Sequence, residues 1–512
     1  MLPGVPLRIA FIAAECEPWA KTGGLADVVD ALARAVGEVA GTELHGPIDV
    51  FLPRYRGIDV PVDAPRRRLR VADPFGLDGW TSLAVVDLPG HGYRLRLIDH
   101  PPAFDRDGLY GDANGDFPDN AWRFGLFGRA ALECLRSEDP PVDVLHIHDW
   151  HTGPVALARD GELRNDPVIG RAAMLLTVHN LAYHGWTPAD RLGQLGLAPG
   201  DGLIPAKADG IDLLRTGIQR AELVNTVSPG FAAEALTPAM GMGLDADLRA
   251  KGDRFFGILN GLDTELWNPA ADETLAARYD RSDRSGKALA RRDLLRRVGL
   301  GPEDPGAVLA MVGRLDPQKG FDLLAGAAPS LLRAGARLVV LGSGTSTELG
   351  SLRALAIAQP DRIGLVERFD RDLARRVYAG SDGFLMPSRF EPCGTGQMIA
   401  LRYGTPPIVR ATGGLRDTVI DVDNHPKTGT GFTFEEATAE ALLAACRRFL
   451  EWFQPGAPRW NALLDRGMAV DFDWRSHSAP KYLDAYRRAV ELRRDPARSE
   501  RAPSAGRAPA KS

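Results

Sequence analysis

Short apolar runs alternate with longer amphipathic stretches from one end of the chain to the other. In the first half, runs at 7–14, 48–52, 93–98, 144–148, 173–179 and 223–227 predict strands, and segments at 25–36 and 120–135 predict helices between them. In the second half, strands are predicted at 308–312, 338–341, 363–366, 383–387 and 407–410, with helices at 321–332, 370–379 and 395–403. Strand-then-helix alternation argues for an α/β fold of parallel sheets with helices on both faces. Ligands of such sheets bind at the carboxyl ends of the strands, so the residues just after each run are where chemistry is sought. Gly, Asn and Pro cluster at 260–271 and mark a domain break, with domains expected at 1–262 and 263–475. A last helix is expected over 480–494, where Pro480 suits the first turn. The Ala/Pro/Ser/Arg-rich stretch 496–512 reads as a disordered tail.

At 512 residues the chain can bury more than one core. A net charge of −5 argues against a whole-surface nucleic-acid binder, so any affinity for anions is local. No apolar run approaches a membrane span. Pro3, Pro6 and Arg8 break the apolar N-terminus, which reads as a first strand rather than a signal peptide. Cys16, Cys134, Cys393 and Cys446 lie far apart, form no CxxC pair and suit a reducing compartment.

The chain has only eight lysines, and two of them sit in glycine loops directly after strands. The first loop is Lys21-Thr22-Gly23-Gly24, followed by Asp27 at the start of a helix. The second runs from Gly313 to Gly320 and carries Arg314 and Lys319 around Pro317. A strand, a glycine turn and a helix start bring backbone N–H groups and a positive helix end to one point, which is an anion site. Two such loops predict a phosphate-bearing substrate held in a cleft between two domains. The Lys21 loop is neither a Walker A nor a GxGxxG sequence. The competing reading of each loop is a surface turn with a solvated lysine.

The stretch His146, His148, Asp149, His151 invites a metal reading, but its HxHDxH spacing differs from the HxHxDH set of metallo-hydrolases and no further ligand set follows. No metal is therefore expected; Asp149 and His151 suit sugar-hydroxyl contacts, and His146 and His148 suit satisfied strand histidines. His179 and Asn180 form a polar pair at another strand tip, while His184 is open between site and structure. After the strand at 383–387 come Glu391, Cys393, Gly394, Thr395 and Gly396. Glu391 can hydrogen-bond sugar hydroxyls and balance positive charge, and Thr395 and Gly396 can offer N–H groups to phosphate. The Cys393 thiol reads as packed rather than nucleophilic, since no base adjoins it. The turn Thr412-Gly413-Gly414 lines the same cleft or merely starts a helix.

Together these pieces resemble the bacterial glycogen synthases and plant starch synthases. The motifs are KTGGLADV at 21–28, HDWH at 148–151, TVHNLAYHG at 177–185, NTVSP at 225–229, ILNGLD at 258–263, GRLDPQKG at 313–320 and PSRFEPCG at 387–394. The resemblance runs from about Leu7 to about Tyr486. It implies two Rossmann-like domains facing across a deep cleft (GT-B), with the segment 476–495 crossing back to the first domain. It implies a cytoplasmic, retaining hexosyltransferase with no cofactor that moves glucose from ADP-glucose to the 4-hydroxyl at the non-reducing end of glycogen or another α-1,4-glucan. UDP-glucose remains the alternative donor. Nucleic acid and membrane are not expected partners.

By the same resemblance, Lys21, Gly23 and Gly24 approach the donor, and Arg314 and Lys319 stabilise the leaving diphosphate. Glu391 engages the transferred glucose and His179 lies beside the anomeric centre. Asp149, Asn180 and Asn260 look like glucose or acceptor contacts; Asp27, Cys393, Gly394, Thr395 and Gly396 complete the donor side. Ile399 stands where related retaining transferases carry a second glutamate, which favours the glycogen synthase branch. Phe117 stands where many relatives have tyrosine. A metallo-hydrolase built on residues 146–151 and a non-catalytic glucan-binding protein are the competing classes; the joint presence of Lys21, Arg314, Lys319 and Glu391 argues against the second.

Overall fold

In a computed structural model of the chain, the described residues are 6–198, 200, 203, 208–344, 349–368 and 370–495. They form two compact units. The first holds the residues up to Thr226, Ala235–Ile258 and those from His477 onward; the second holds Val227–Glu234 and Leu259–Ser476. The helix Ala479–Arg494 thus returns to the first unit and carries a proline in its first turn, where the missing N–H costs nothing. The tail expected at 496–512 lies outside the described residues. No helix among the described residues is long and apolar enough to cross a membrane.

The first unit is built on a nine-stranded sheet. Its strands are β1 (Ile9–Ile12), β2 (Asp49–Pro53), β3 (Arg66–Leu77), β4 (Trp80–Pro89), β5 (Arg94–Asp99), β6 (Val144–His148), β7 (Ala173–Val178), β8 (Leu223–Thr226) and β9 (Phe255–Gly257). Their spatial order is β9-β8-β7-β6-β1-β2-β5-β4-β3. From β9 to β5 every pairing is parallel. The buried strands β1, β2, β6, β7 and β8 are near-continuous apolar runs, as a sheet covered on both faces demands.

At one edge this sheet departs from the parallel arrangement. β3 and β4 form an antiparallel hairpin that extends the sheet from β5. Arg66, Arg68 and Arg70 alternate outward along β3, so this edge strand never reads as an apolar run.

The second unit has a six-stranded sheet, parallel throughout, of β10 (Val308–Arg314), β11 (Arg337–Ser343), β12 (Ile363–Val366), β13 (Gly383–Met386), β14 (Pro407–Arg410) and β15 (Phe432–Phe434). Its order is β12-β11-β10-β13-β14-β15. Period-two alternation divides the core. Leu309, Met311, Leu338 and Val340 pack to one face with Leu324, Leu331 and Phe449. Val308, Ala310, Val339 and Leu341 pack to the other with Leu294 and Val377.

Candidate active site

In the first unit, β1 runs into the 21–24 loop and then the helix Gly24–Ala40. The Lys21 ammonium lies 2.5 Å from Asp27 and 3.3 Å from Glu17. Burial acts to lower the Lys21 ammonium, but the bond to Asp27 and the charges of Asp27 and Glu17 hold it above its usual value. Asp27 therefore serves first as the partner of Lys21. Gly23 is extended, and a Cβ at Gly23 or Gly24 would meet no atom within 4 Å. No packing contact among the described residues demands glycine at either position.

A residue that the sequence did not single out holds this loop. Glu15 is buried, and its carboxylate accepts from Thr22 N at 2.6 Å, Thr22 Oγ1 at 2.6 Å and Gly23 N at 3.1 Å. Tyr110 donates its hydroxyl to the same carboxylate at 2.6 Å. The Tyr110 ring stacks on His151 at 4.5 Å, and His151 lies 4.1 Å from Trp150, which ties the loop to the end of β6.

The ends of β6 and β7 meet at Asp149. Its φ of 54° turns the chain sharply after His148. Its Oδ1 accepts from the backbone N–H of His179 at 2.7 Å and of Asn180 at 3.4 Å. Burial raises the Asp149 carboxyl to about 7, against the lowering effect of those two bonds. His179 Nε2 and His148 Nδ1 share a hydrogen bond of 3.1 Å. Burial lowers His179 to about 3, so its imidazole is neutral at ordinary pH. His151 is likewise lowered to about 3, by burial and then by the charge of Arg123.

His146 belongs to the fold. Its Nε2 bonds Thr177 Oγ1 at 2.7 Å and its Nδ1 bonds Tyr486 Oη at 2.9 Å, which fastens the C-terminal helix to β6. Both ring nitrogens are thereby committed, and no group of three or more His, Cys, Asp or Glu able to hold a metal ion occurs among the described residues. His184 is also structural, bonded at 2.6 Å to Asp212, which caps the helix Leu213–Arg220.

In the second unit the structure joins the loops after β10 and β13. Lys319 Nζ lies 2.6 Å from Glu391 Oε2, and Ser388 Oγ donates to the same oxygen at 3.1 Å. Asp316 caps the short turn Pro317–Lys319 by accepting from Lys319 N. Gly320 has φ +76°, and a Cβ there would collide with the Pro387 carbonyl, so only glycine lets the two loops close. Gln318 donates to Phe390 O at 2.8 Å, and Arg389 pairs with Asp322 through both guanidinium nitrogens at 2.7 and 2.6 Å. Arg314 stands on the same loop, exposed, 3.5 Å from Asp316. Asn260 is buried beside Cys393, with its side-chain oxygen unpaired among the described residues.

The Cys393 thiol is buried and pushed up by that burial, which leaves it inert. Gly394 has φ 72°, and Thr395 and Gly396 start the helix Gly396–Arg402. Gln397 ties this start down, donating to Cys393 O, Gly394 O and Thr418 Oγ1 at 3.1, 3.0 and 3.1 Å. The turn left open by the sequence, Thr412-Gly413-Gly414, supports Glu391 from behind. Cβ atoms at Gly413 and Gly414 would collide with the carbonyls of Glu391 and Cys393. Ser228 anchors the same segment through Pro392 O at 2.6 Å. Glu15, Tyr110, Ser228, Ser388, Gln318 and Gln397 are the supporting residues that sequence reasoning missed. Only Ser228, Gln318 and Ser388 lay inside a quoted motif.

A family model described as starch synthase catalytic domain matches residues 8–250, and one described as glycosyl transferases group 1 matches residues 295–452. The chain is 40% identical over 505 residues to a glycogen synthase of Syntrophotalea carbinolica, covering 95% of this chain and 99% of that one. It is 43% identical over 496 residues to a glycogen synthase of Halorhodospira halophila, covering 95% and 100%. Among solved structures, the catalytic domain of starch synthase IV from Arabidopsis thaliana bound to ADP and acarbose is similar with a TM-score of 0.83 at 33% identity, over 95% of this chain and 100% of that one. Sucrose-phosphate synthase from Thermosynechococcus elongatus shares the fold, with a TM-score of 0.57 at 20% identity over 95% and 100% of the two chains.

Proposed function

The chain belongs to the family of bacterial glycogen synthases and plant starch synthases, and on that premise we propose that it extends an α-1,4-glucan with glucose taken from ADP-glucose, retaining the anomeric configuration. The observation that carries the reading is the contact between Lys319 and Glu391, with Arg314 on the same loop. Breaking the bond between glucose and a diphosphate puts positive charge on the sugar ring and negative charge on the leaving oxygen. A site for this reaction needs cations and a carboxylate held close together, and this unit supplies both. At ~4 Å and an effective dielectric of about 20, each cation–phosphate contact is worth on the order of 4 kcal/mol before desolvation.

In this mechanism Arg314 and Lys319 take up the charge of the departing ADP, and Lys21 is a further cation for the donor. The N–H groups of Thr395 and Gly396 meet phosphate oxygens. Glu391 accepts hydroxyls of the transferred glucose and offsets positive charge at its ring. Neutral His179, oriented by His148 and by Asp149 through its backbone, accepts a hydrogen bond from the sugar without adding an opposing positive charge. Asp149, Asn180 and Asn260 serve glucose or acceptor hydroxyls. The acceptor 4-hydroxyl forms the new bond to C1 on the face that the diphosphate leaves, and its proton passes to a diphosphate oxygen. The ADP found with the Arabidopsis relative supports ADP as the leaving group. The four cysteines, buried and unpaired, support a cytoplasmic setting.

The test is incubation of glycogen with labelled ADP-glucose or UDP-glucose, with and without EDTA. Label entering the polymer from ADP-glucose, unaffected by EDTA, is expected. Incorporation from UDP-glucose alone replaces the donor; no incorporation from either, or loss of activity on chelation, overturns the reading.

A further inference from the structure

The 21–24 loop has little of its own to hold it. Lys21 is half exposed, and Gly23 and Gly24 have open space where side chains would be. Two adjacent glycines also give up the most backbone freedom when a loop is fixed. The order of this loop therefore has to come from outside it.

Glu15 supplies that order. It is 4% exposed and has no ion pair among the described residues, so its charge is met by hydrogen bonds alone. The donors are two backbone amides and one hydroxyl of the loop, Thr22 N, Gly23 N and Thr22 Oγ1, and the hydroxyl of Tyr110. Tyr110 is fixed in its turn. Its carbonyl accepts from Asn120 Nδ2 at 2.8 Å and Phe117 N at 2.9 Å. Buried Arg123 donates to Leu109 O at 3.0 Å and to Asn120 Oδ1 at 2.6 Å. The Phe117 ring lies against the guanidiniums of Arg123 and Arg106, at 4.9 and 5.2 Å. A continuous strut thus runs from the helix Asn120–Arg136 to the glycine loop.

We propose that Glu15, braced by Tyr110, is a positioning residue for donor binding: by engaging Thr22 and the Gly23 amide it holds Lys21 and the Gly24 backbone in the geometry that receives the nucleotide-sugar. The inference rests on the function proposed above. It separates two roles a buried carboxylate can have. A positioning role depends on four acceptor contacts, whereas an electrostatic role depends on the negative charge.

Glutamine separates these roles. Its amide oxygen accepts from Thr22 N and Gly23 N, and its amide nitrogen donates to the Thr22 and Tyr110 hydroxyls, which then reverse their roles. The experiment is steady-state kinetics with ADP-glucose and glycogen for the wild type, Glu15→Ala, Glu15→Gln and Tyr110→Phe, with a melting temperature for each. Glu15→Ala is expected to raise KM for ADP-glucose about tenfold or more while KM for glycogen stays within about twofold, as loss of preorganisation at one substrate predicts. Glu15→Gln recovers most of that loss, and Tyr110→Phe shows a smaller rise of about threefold. A Glu15→Ala protein that melts lower but keeps wild-type constants overturns the proposal, because the carboxylate is then merely structural. A Glu15→Gln protein as impaired as Glu15→Ala overturns it too, because charge is then what matters. If Glu15→Ala does not fold, Glu15→Gln and Tyr110→Phe decide: an unchanged KM in Tyr110→Phe, or a strongly raised KM in Glu15→Gln, counts against positioning. The wild type is the control for the underlying function. Its failure to use ADP-glucose sinks that function, whereas variants that match an active wild type sink only the role of Glu15.

Discussion

Lys319 and Glu391, 72 residues apart in sequence, meet at 2.6 Å at the ends of neighbouring strands β10 and β13. Each fixes the other: the lysine gains a partner that aims its ammonium, and the carboxylate gains a cation that makes its burial tolerable. In the proposed reaction one faces the leaving diphosphate and the other faces the sugar. Lys319→Ala should therefore lower kcat by about 10²–10³, the loss typical of one removed transition-state contact, with little change in glucan affinity. Initial rates with ADP-glucose and affinity electrophoresis in glycogen gels check the two halves. A variant that turns over like the wild type refutes the assignment.

His151 gives a pH prediction. Burial holds it near 3, whereas the unfolded chain titrates it near its usual value. Between roughly 6.5 and 3 the unfolded state binds the extra proton, so stability falls as pH falls through that window. One such histidine contributes a slope of about 1.4 kcal/mol per pH unit. His151→Phe keeps a ring against Tyr110 and Trp150 and removes the titration. Denaturant unfolding at pH 4.5, 5.5 and 6.5 should show a shallower decline for the variant; parallel lines would contradict the buried, neutral ring.

Much of this architecture could be read from the chain. The strands Val144–His148, Ile363–Val366 and Pro407–Arg410 fall where their apolar runs end to end predict them. Strands of a parallel sheet covered by helices are drawn mostly from apolar residues. The hairpin of β3 and β4 could not be read, because its arginines answer to solvent at a sheet edge. Among candidate site residues, motifs singled out Lys21, His179, Arg314, Lys319 and Glu391 by their place after strands. They gave no sign of Glu15 with Tyr110, which meet across 95 positions of sequence. Nor did they reveal that Asp27 faces Lys21, or that the glycines at 413 and 414 are demanded by the backbone of Glu391 and Cys393. Such contacts are made by tertiary packing and leave no periodicity behind.

The bond between Tyr486 and His146 predicts a stability effect away from the chemistry. Both side chains are buried, and Tyr486 is the partner of His146 Nδ1. Tyr486→Phe leaves that nitrogen without its partner in a dry place, at a cost of about 1–3 kcal/mol. Thermal unfolding should shift down, while the specific activity of the folded fraction stays near that of the wild type. A variant with an unchanged melting temperature would mean that the bond contributes nothing net.

Two glycines separate ligand space from packing. Gly24 opens the helix Gly24–Ala40, and a Cβ there meets no atom within 4 Å. Alanine is the better helix former by up to about 1 kcal/mol, so Gly24→Ala should melt no lower than the wild type. If donor atoms approach the backbone at that point, the added methyl obstructs them, and kcat/KM for ADP-glucose should fall by about tenfold or more. Gly413 is the opposite case. Its φ is +45° and its Cβ would collide with the Glu391 carbonyl, so Gly413→Ala must move the segment that carries Glu391. It should lose about 2–4 kcal/mol of stability together with activity. Paired melting curves and initial rates decide the matter: Gly24→Ala with full activity would show that the ligand keeps clear of that backbone, and Gly413→Ala with full stability would show that the turn yields without strain.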